Sequence, residues 1–450
     1  MPRDLADFEG PLDIAVVGTG IAGLSAAWLL ARRHRVTVYE QDRRVGGHSN
    51  TVDVQGPDGP IAVDTGFIVY NETNYPNLTA LFDHIDVPTK NSTMSFAASI
   101  GDGAVEYSGG DLAGLFAQPG NLLRPGFWRM LRDILRFYRK GPGVLSRADR
   151  DQLTLGAYLD GEGYSREFID HHLLPMAAAI WSSPVDGMRD HPAVAFVRFC
   201  MTHGLMRIGR RPQWRTVEGG SRTYVRKLTA TFADRIRTGR PVVRVRRLPE
   251  SVTVEDESGN VERFDHIVVA AHADQALAML ADASFDERRL LGAFAYSSNR
   301  TVLHRDQRLM PKRRRVWSSW NYIAGRPNDR RPRVCVTYWM NALQSLDPRV
   351  PLFVTLNPAR EPAPELVEAV FHYDHPCYHR SALRAQRELP MLQGVRNTWF
   401  CGSYFGAGFH EDALVSGLAV AEALGGVRRP WATATAAEPL GRLRLERAAE

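Results

Sequence analysis

The hydrophobic pattern near the N-terminus predicts a strand, a turn and a helix, in that order. Residues 13–17 form a run of strand length that is apolar after Asp13, and residues 21–33 repeat apolar side chains at helical spacing. A second apolar run at 36–40 predicts another strand, which ends in the carboxylate of Glu40. This order is typical of the first half of a βαβ unit.

Two later segments carry informative patterns. Residues 398–402 predict a strand and residues 412–423 a helix, with a glycine-containing turn between them. From 121 to 140, apolar side chains occupy one helical face and basic side chains the other. Two interpretations of this helix stay open: ordinary packing on the core, which most such helices show, and docking on an anionic bilayer.

The first turn has the spacing of a dinucleotide-binding motif. Its first glycine permits a tight turn, the second lets the backbone approach a pyrophosphate, and the third lets the helix pack on the strand. Glu40 lies twenty residues after Gly20 and can accept hydroxyl protons from an adenosine ribose, so FAD or NAD is favoured over NADP. The predicted contacts of this turn are Gly18, Gly20, Ile21, Ala22 and Gly23.

Composition narrows the class of protein. A chain of 450 residues with 44% hydrophobic residues is long enough for two cores. Its four cysteines have no short spacing, which predicts a metal-free protein in a reducing compartment. No secretory signal pattern opens the chain, and glycines interrupt the charge-free stretch 14–31, so we expect a cytoplasmic protein without a transmembrane segment. The net charge of +6 permits phosphate-bearing partners, although we expect no nucleic-acid ligand.

The residues after Glu40 resemble a known family. The run from Arg44 through Gly46, Gly47 and His48 is similar to the second dinucleotide motif of flavin amine oxidases, phytoene desaturases and protoporphyrinogen oxidases. His48 stands where those families usually carry Arg. The turn near the C-terminus is also similar to theirs, where it closes over the flavin. The resemblance implies FAD, with contacts at Arg44, Gly46, Gly47, His48, Thr65, Gly66, Val242, Gly402, Gly408, Asp412 and Ser416.

The same resemblance implies an α/β fold in which a Rossmann-like FAD-binding domain of the GR2 type is interleaved with an α+β substrate domain. The implied boundaries are 12–100, 205–275 and 390–426 for the FAD-binding domain, and 101–204 and 276–389 for the substrate domain. Prolines and alternating Ala and Thr predict that residues 427–450 form a loosely attached tail.

Several runs resemble one narrower branch, the flavin oxidoreductases associated with cyclopropane-fatty-acid-synthase-like methyltransferases, including those of furan fatty acid synthesis. The runs are 66–72, 174–181, 211–216, 317–321 and 408–412. This resemblance implies a fatty acyl substrate and a methyltransferase as partner. The basic helix at 121–140, in its bilayer-docking interpretation, would give the protein peripheral contact with the inner face of the membrane.

Candidate catalytic groups are His410, which lies in the closing turn, Glu411 beside it, and His304 in the substrate half. A histidine in that turn can titrate near neutral pH or donate a hydrogen bond to the reduced flavin. Oxidation of an alkyl chain predicts an apolar tunnel with aromatic walls. The candidate substrate residues are Tyr70, Asn71, Trp181, Trp317, Trp320, Asn321, Trp339 and Asn341, with Tyr338 as a further wall residue.

Three functions remain consistent with these motifs. The leading one is an FAD-dependent oxidase or desaturase of a lipid-like substrate. The second is a flavin-dependent isomerase of an unsaturated chain, and the third is a flavin-bearing partner that assists a methyltransferase. Oxidation of a small amine is a variant of the first, but it is expected to use a lysine near the flavin, and none of Lys90, Lys140, Lys227 and Lys312 falls in a flavin motif.

Overall fold

The computed structural model describes residues 10–432 except 151, 183–184, 208, 210–211 and 326–334. The strands, numbered in chain order, are β1 (Asp13–Val17), β2 (Arg35–Tyr39), β3 (Thr51–Gly56), β4 (Gly59–Asp64), β5 (Tyr70–Asn71), β6 (Thr89–Ser92), β7 (Phe96–Ile100), β8 (Val105–Ser108), β9 (Trp214–Val217), β10 (Ile236–Arg237), β11 (Val242–Arg247), β12 (Val252–Asp256), β13 (Val261–Phe264), β14 (His266–Val269), β15 (Ala295–His304), β16 (Trp320–Ala324), β17 (Cys335–Trp339), β18 (Phe353–Leu356), β19 (Val367–Cys377) and β20 (Thr398–Phe400).

The helices, numbered in the same way, are α1 (Ile21–Leu30), α2 (Pro76–His84), α3 (Leu112–Leu115), α4 (Pro125–Lys140), α5 (Leu155–Gly161), α6 (Arg166–Phe168), α7 (Leu174–Trp181), α8 (Val185–Arg189), α9 (Ala193–Thr202), α10 (Arg222–Thr229), α11 (Ala273–Met279), α12 (Phe285–Leu291), α13 (Met340–Leu343), α14 (Arg380–Glu388) and α15 (His410–Ala423).

A five-stranded parallel sheet forms the dinucleotide half, in the order β10-β2-β1-β14-β20. Ile14, Ala15 and Val16 are fully buried, as expected of a parallel strand that is covered on both faces. Helices α1 and α15 pack so closely that a β-carbon at Gly417 would overlap the carbonyl oxygen of Ala22. Because α1 follows the end of β1 and α15 follows the end of β20, both helices begin at the carboxyl edge of the sheet. This architecture confirms the predicted Rossmann-like fold.

A seven-stranded sheet forms the other half, in the order β19-β15-β18-β17-β16-β7-β8. Adjacent strands in this sheet are antiparallel, except that β16 and β7 run parallel to each other. Helix α7 packs beside β16, and the core there combines the sheet with helices α4 to α9. The implied domain boundary at residue 100 falls between β7 and β8, which pair within this sheet.

The basic helix begins later than the hydrophobic pattern indicates. Residues 119–123 form a 3₁₀ turn, and α4 starts at Pro125, whose missing amide proton suits the first helical position. Phe127, Met130 and Phe137 face the core. Across the described ranges, no helix combines the length and the apolar character needed to cross a membrane. Of the predicted tail, residues 433–450 lie outside the described residues, whereas Trp431 stacks on Trp28.

Candidate functional site

A cavity of about 1380 Å³ is lined by residues of both halves of the molecule. The parallel sheet contributes the two glycine-rich turns at its carboxyl edge, and the seven-stranded sheet contributes aromatic side chains. Thirteen predicted cofactor residues lie on its wall: Gly18, Gly20, Ile21, Ala22, Glu40, Arg44, Gly47, His48, Thr65, Gly66, Val242, Gly402 and Gly408. Residues that are far apart in the sequence thus meet around one space.

The glycines of the first turn face different surroundings. Gly18 has φ +101°, and a β-carbon there would lie 2.6 Å from the carbonyl oxygen of Ala270. A β-carbon at Gly23 would overlap the carbonyl oxygen of Gly18, so Gly23 supports the packing of α1 from behind the cavity wall. By contrast, a β-carbon at Gly20 would meet no atom within 4 Å. Because no side chain caps α1, its N-terminus is open to an anionic group from the cavity.

Glu40 is held at the end of β2 with its carboxylate on the cavity wall. Its Oε2 accepts a hydrogen bond from the Thr19 amide at 2.9 Å and another from the Thr19 hydroxyl, and its Oε1 accepts from the Asp42 amide at 2.9 Å. These bonds fix the carboxylate but leave lone pairs for further donors. The arrangement fits the hydroxyl groups of a ribose.

Arg44 supplies the clearest indication of an absent anion. Its Nη1 is buried and has no hydrogen-bond partner among the described residues, and the Asp42 carboxylate is 3.8 Å from its Nη2. An unpaired buried guanidinium nitrogen is costly, so a phosphate in the cavity would satisfy it. Gly46 and Gly47 have φ +123° and +57° and bring this segment against Gly20. The residues present therefore fit the diphosphate of FAD.

The second glycine-rich turn is shaped by residues behind the wall. The Ser416 hydroxyl accepts a hydrogen bond from the Gly402 amide at 2.9 Å, and the Asp412 carboxylate accepts one from the Phe409 amide at 2.9 Å. Burial raises the pKa of Asp412 to about 6. Neither side chain reaches the cavity, so Asp412 and Ser416 hold the turn that presents Gly402 and Gly408.

Four histidines surround the part of the cavity between the two turns. The His48 ring lies 5.6 Å from that of His375 and 6.3 Å from that of His272, and His410 belongs to the same wall. Burial, followed by the neighbouring histidines, holds the pKa of His48 well below its usual value. Burial lowers the pKa of His375 to about 4 and that of His410 to about 3, so both rings are neutral at physiological pH.

His410 is fixed by two neighbours. Its ring stacks on Phe67 with a centroid distance of 3.8 Å, and its Nε2 is 2.9 Å from the hydroxyl oxygen of Tyr224. The Tyr224 hydroxyl in turn bonds Ser49. His272 is a site residue that the sequence reasoning missed. The available signal was its position just past β14, because the carboxyl ends of adjacent parallel strands meet at one edge.

The remaining wall is apolar and aromatic. Of the aromatic wall residues predicted from the sequence, Trp181, Trp320 and Tyr338 line the cavity. Phe199 and Phe409 stack with a centroid distance of 4.8 Å and extend the wall toward the second turn. The other apolar lining side chains include Met94, Phe96, Met176, Ile180, Leu205, Val354 and Leu356.

Two predicted catalytic residues lie away from the cavity. Glu411 accepts hydrogen bonds from the Asn77 and Leu78 amides at 2.8 and 2.9 Å, and so caps helix α2. His304 is fully buried in the seven-stranded sheet, where its Nε2 is 2.7 Å from the Thr355 hydroxyl. Both assignments are corrected to structural roles, because neither side chain lines the cavity.

Six predicted substrate residues are also absent from the wall. Tyr70 packs edge-on against Phe82 in the core of the parallel-sheet half, and Trp317 packs edge-on against Trp339 at 5.5 Å. The polar members satisfy nearby backbone groups instead. Each of these asparagines accepts a hydrogen bond from a backbone amide: Asn71 from Asn74, Asn321 from Ser318, and Asn341 from Leu352.

Metal ligation finds no support in the described ranges, where no cluster of three or more His, Cys, Asp or Glu side chains is arranged to hold an ion. Of the runs that resemble the narrower branch, the one at 211–216 begins with a residue, 211, that lies outside the described part of the chain.

Comparison with known proteins gives a family match over most of the chain. The protein-family model described as flavin containing amine oxidoreductase matches residues 21–425 of the chain. Among curated proteins, the carotenoid phi-ring synthase of Streptomyces griseus is 39% identical over 88 residues, covering 19% of this chain and 17% of that protein. The L-amino-acid oxidase of Bungarus fasciatus is 54% identical over 44 residues, covering 10% of this chain and 8% of that one. The chain therefore matches less than a fifth of each curated relative's length.

Solved structures share the fold over nearly their whole length. A putrescine oxidase variant superposes with a TM-score of 0.66 at 15% identity, covering 92% of this chain and 99% of that one. A fatty acid isomerase from P. acnes, described as CLA-producing, gives a TM-score of 0.64 at 15% identity, covering 93% of this chain and 99% of that one. At such identities the likeness establishes the fold alone.

Proposed function

The chain belongs to the flavin-containing amine oxidoreductase family, an FAD-dependent oxidoreductase family, and we propose that it oxidises a lipid-like substrate, namely a modified or unsaturated fatty acyl chain. Bound FAD supplies a ring that accepts a hydride or electrons from carbon. The chain's own residues must hold the dinucleotide, admit the acyl chain and keep water from the reacting carbon.

The observation that carries this proposal is the apolar extension of the cavity beyond the glycine-rich turns. Its wall is formed by Trp181, Phe199, Trp320 and Tyr338 together with aliphatic side chains. An acyl chain gains binding energy from burial of its methylene groups, roughly 0.8 kcal/mol for each one that is fully buried. A wall of this composition suits such a chain better than it suits a small, charged substrate.

Two roles were open for His410, and the structure favours one of them. A side chain whose pKa is lowered to about 3 is a weak proton acceptor at neutral pH. The stacking of its ring on Phe67 and its hydrogen bond with Tyr224 support a role as a neutral hydrogen-bonding group. We therefore assign to His410 the orientation of polar groups beside the cofactor, and not general base catalysis.

Oxidation of a small amine receives less support. Putrescine oxidase and cyclohexylamine oxidase share the fold, but a lysine close to the flavin was the feature expected of that function. None of Lys90, Lys140, Lys227 and Lys312 lines the cavity. The resemblance to the branch associated with methyltransferases supports an acyl substrate, and it also supports a methyltransferase as a partner.

Isomerisation of an unsaturated chain is the second candidate function. The structural likeness to the P. acnes fatty acid isomerase favours it, because that protein has this fold and is an isomerase of a fatty acid. The difference between the two reactions is chemical. Oxidation removes two hydrogens from the substrate and requires an electron acceptor, whereas isomerisation leaves the substrate's composition unchanged.

The proposal is tested with lipid extracts from cells that carry or lack the gene, together with an absorption spectrum of the purified protein. We expect a flavin spectrum and an acyl species that is lighter by two hydrogens only when the gene is present. A product of unchanged mass but altered retention would identify an isomerase. Product formation only when a methyltransferase is co-expressed would identify the partner function. A flavin spectrum with an unchanged lipid profile in every strain would refute the lipid substrate.

A further inference from the structure

The surface around helix α4 exposes an unusual set of large apolar side chains. The set comes from α3, the 3₁₀ turn at 119–123 and α4, and we call it the α3–α4 patch. Its members are Leu112, Leu122, Leu123, Trp128 and Leu135. Leu123 and Leu112 are 88% and 75% exposed, so the fold gains little from them. Exposed apolar side chains grouped in this way mark interaction surfaces.

Contacts within the patch hold its parts together. The Trp128 indole nitrogen donates a hydrogen bond to the Leu122 carbonyl oxygen at 2.9 Å, and the Trp128 ring lies 5.7 Å from that of Phe116 beside α3. Leu135 follows Trp128 by seven residues, which places both on the same outer face of α4. The indole is thus fixed at the surface with its apolar ring half exposed.

Basic side chains accompany these apolar ones. Between residues 112 and 140 the sequence contains six basic residues and one acidic residue, Asp133, which is fully buried. Arg129 pairs with Glu167, and Lys140 pairs with Glu162 at 3.4 Å. Arg132 is largely exposed, and Arg139 makes no ion pair with the described residues. The outer face of α4 therefore combines apolar side chains with a net positive charge.

The helix also leads toward the cavity. Gly141, at the end of α4, lies so close to Met206 that a β-carbon there would be 2.8 Å from the Met206 methyl carbon. His203 and Leu205, from the same short segment, line the cavity. The C-terminal end of α4 therefore contacts the segment 203–206, which contributes to the cavity wall.

We propose that the α3–α4 patch docks the protein on the surface of an anionic lipid bilayer. Leucine and tryptophan side chains would enter the boundary between headgroups and acyl chains, while the arginines contact the anionic headgroups. A second copy of the chain fits less well, because a two-fold contact would bring the basic residues of both patches together. The inference adds a docking surface to the proposed lipid function, but docking can be measured without turnover.

The test uses the FAD-loaded full chain and two kinds of vesicle, one of pure phosphatidylcholine and one with added phosphatidylglycerol. We expect co-sedimentation with the anionic vesicles, weakened by salt, and little with the neutral ones. Arg132→Glu combined with Arg139→Glu is expected to weaken anionic binding by roughly thirtyfold or more, given about 1 kcal/mol for each basic residue near such a surface. Leu112→Ser combined with Leu123→Ser, at two exposed positions, is expected to weaken it as well.

Matched controls are available on other surfaces. Arg226→Glu with Lys227→Glu reverses two exposed charges on α10, and Phe285→Ser removes a 78% exposed apolar side chain on α12. Both controls should bind vesicles as the unaltered chain does, and every variant should keep its flavin spectrum. Equal weakening by the controls, or full binding by the patch variants, would overturn the proposal.

A dimer that ignores vesicles and dissociates in the leucine variant would also overturn it, in favour of a second copy. An unchanged cellular lipid profile together with intact vesicle binding would refute the substrate but not the docking surface.

Discussion

Replacing Gly20 with alanine is expected to weaken FAD binding while leaving the apoprotein folded. The backbone at Gly20 has φ −61° and ψ 168°, a conformation that alanine adopts without strain. A β-carbon there meets no protein atom within 4 Å and projects into the cavity beside the open N-terminus of α1. The methyl group would therefore occupy space that a diphosphate needs, while disturbing nothing in the fold.

The matched substitution is Gly23→Ala, three residues further along the same helix. Its β-carbon would overlap the Gly18 carbonyl oxygen and lie 3.0 Å from the Ala270 β-carbon, so the helix must move away from the sheet. Overpacking of this kind costs about 1–3 kcal/mol or more, here in the free energy of unfolding. For Gly20→Ala the same cost falls on binding, which corresponds to an affinity for FAD that is roughly 5- to 150-fold weaker.

The assay measures two quantities on each FAD-free variant, the urea midpoint and the affinity for added FAD from quenching of its fluorescence. Gly20→Ala should keep the midpoint or raise it, because alanine reduces the freedom of the unfolded chain by about 0.4–1 kcal/mol. Gly23→Ala should lower it. Unaltered FAD affinity in Gly20→Ala, or a midpoint as low as that of Gly23→Ala, would refute the assignment of this turn to the diphosphate.

Two further predictions concern stability. Burial lowers the pKa of His172, His191 and His304 to about 4. At a pH below the ordinary histidine pKa, the unfolded chain therefore binds more protons at these residues than the folded protein does. The free energy of unfolding should fall by on the order of 1 kcal/mol per pH unit per histidine between about pH 6.5 and 4, as measured by urea denaturation, and His304→Gln should flatten this slope. Glu411→Ala should lower stability by about 1–2 kcal/mol through loss of the α2 cap, with FAD affinity unchanged; a selective loss of FAD affinity would argue against that role.

The cofactor half of the site was largely predictable from the sequence, because local rules determine it. Gly18, Gly20 and Glu40 lie at the ends of consecutive strands, and their spacing follows from the length of one βα unit. The resemblance to a family then supplied the distant turn at Gly402 and Gly408, which no local rule connects to the first. Both turns do lie on one cavity wall.

The substrate half was less predictable, because strand register decides which side chains face the cavity. Trp320 lines it, whereas Asn321, the next residue on β16, points into the sheet core and is fully buried. A shift of one residue exchanges the two faces of a strand, and nothing in the local sequence fixes that register. Trp317 and Trp339 were equally plausible as wall residues, but they pack on each other instead.

His48 shows how a departure visible in the sequence acquires meaning only from the fold. The resemblance leads one to expect an arginine there. An arginine would carry a permanent charge, because its pKa is too high for it to lose its proton in a protein. Histidine can be neutral, and the pKa of His48 is held well below its usual value by burial and then by His375 and His272. His48 lies more than two hundred positions from both of these residues in the sequence, so their effect on it could not be foreseen. With neutral rings at this point, the wall between the dinucleotide turns and the aromatic part of the cavity lacks the fixed charge that arginine would impose. That absence would lower the cost of bringing the uncharged acyl carbon of the proposed substrate beside the cofactor.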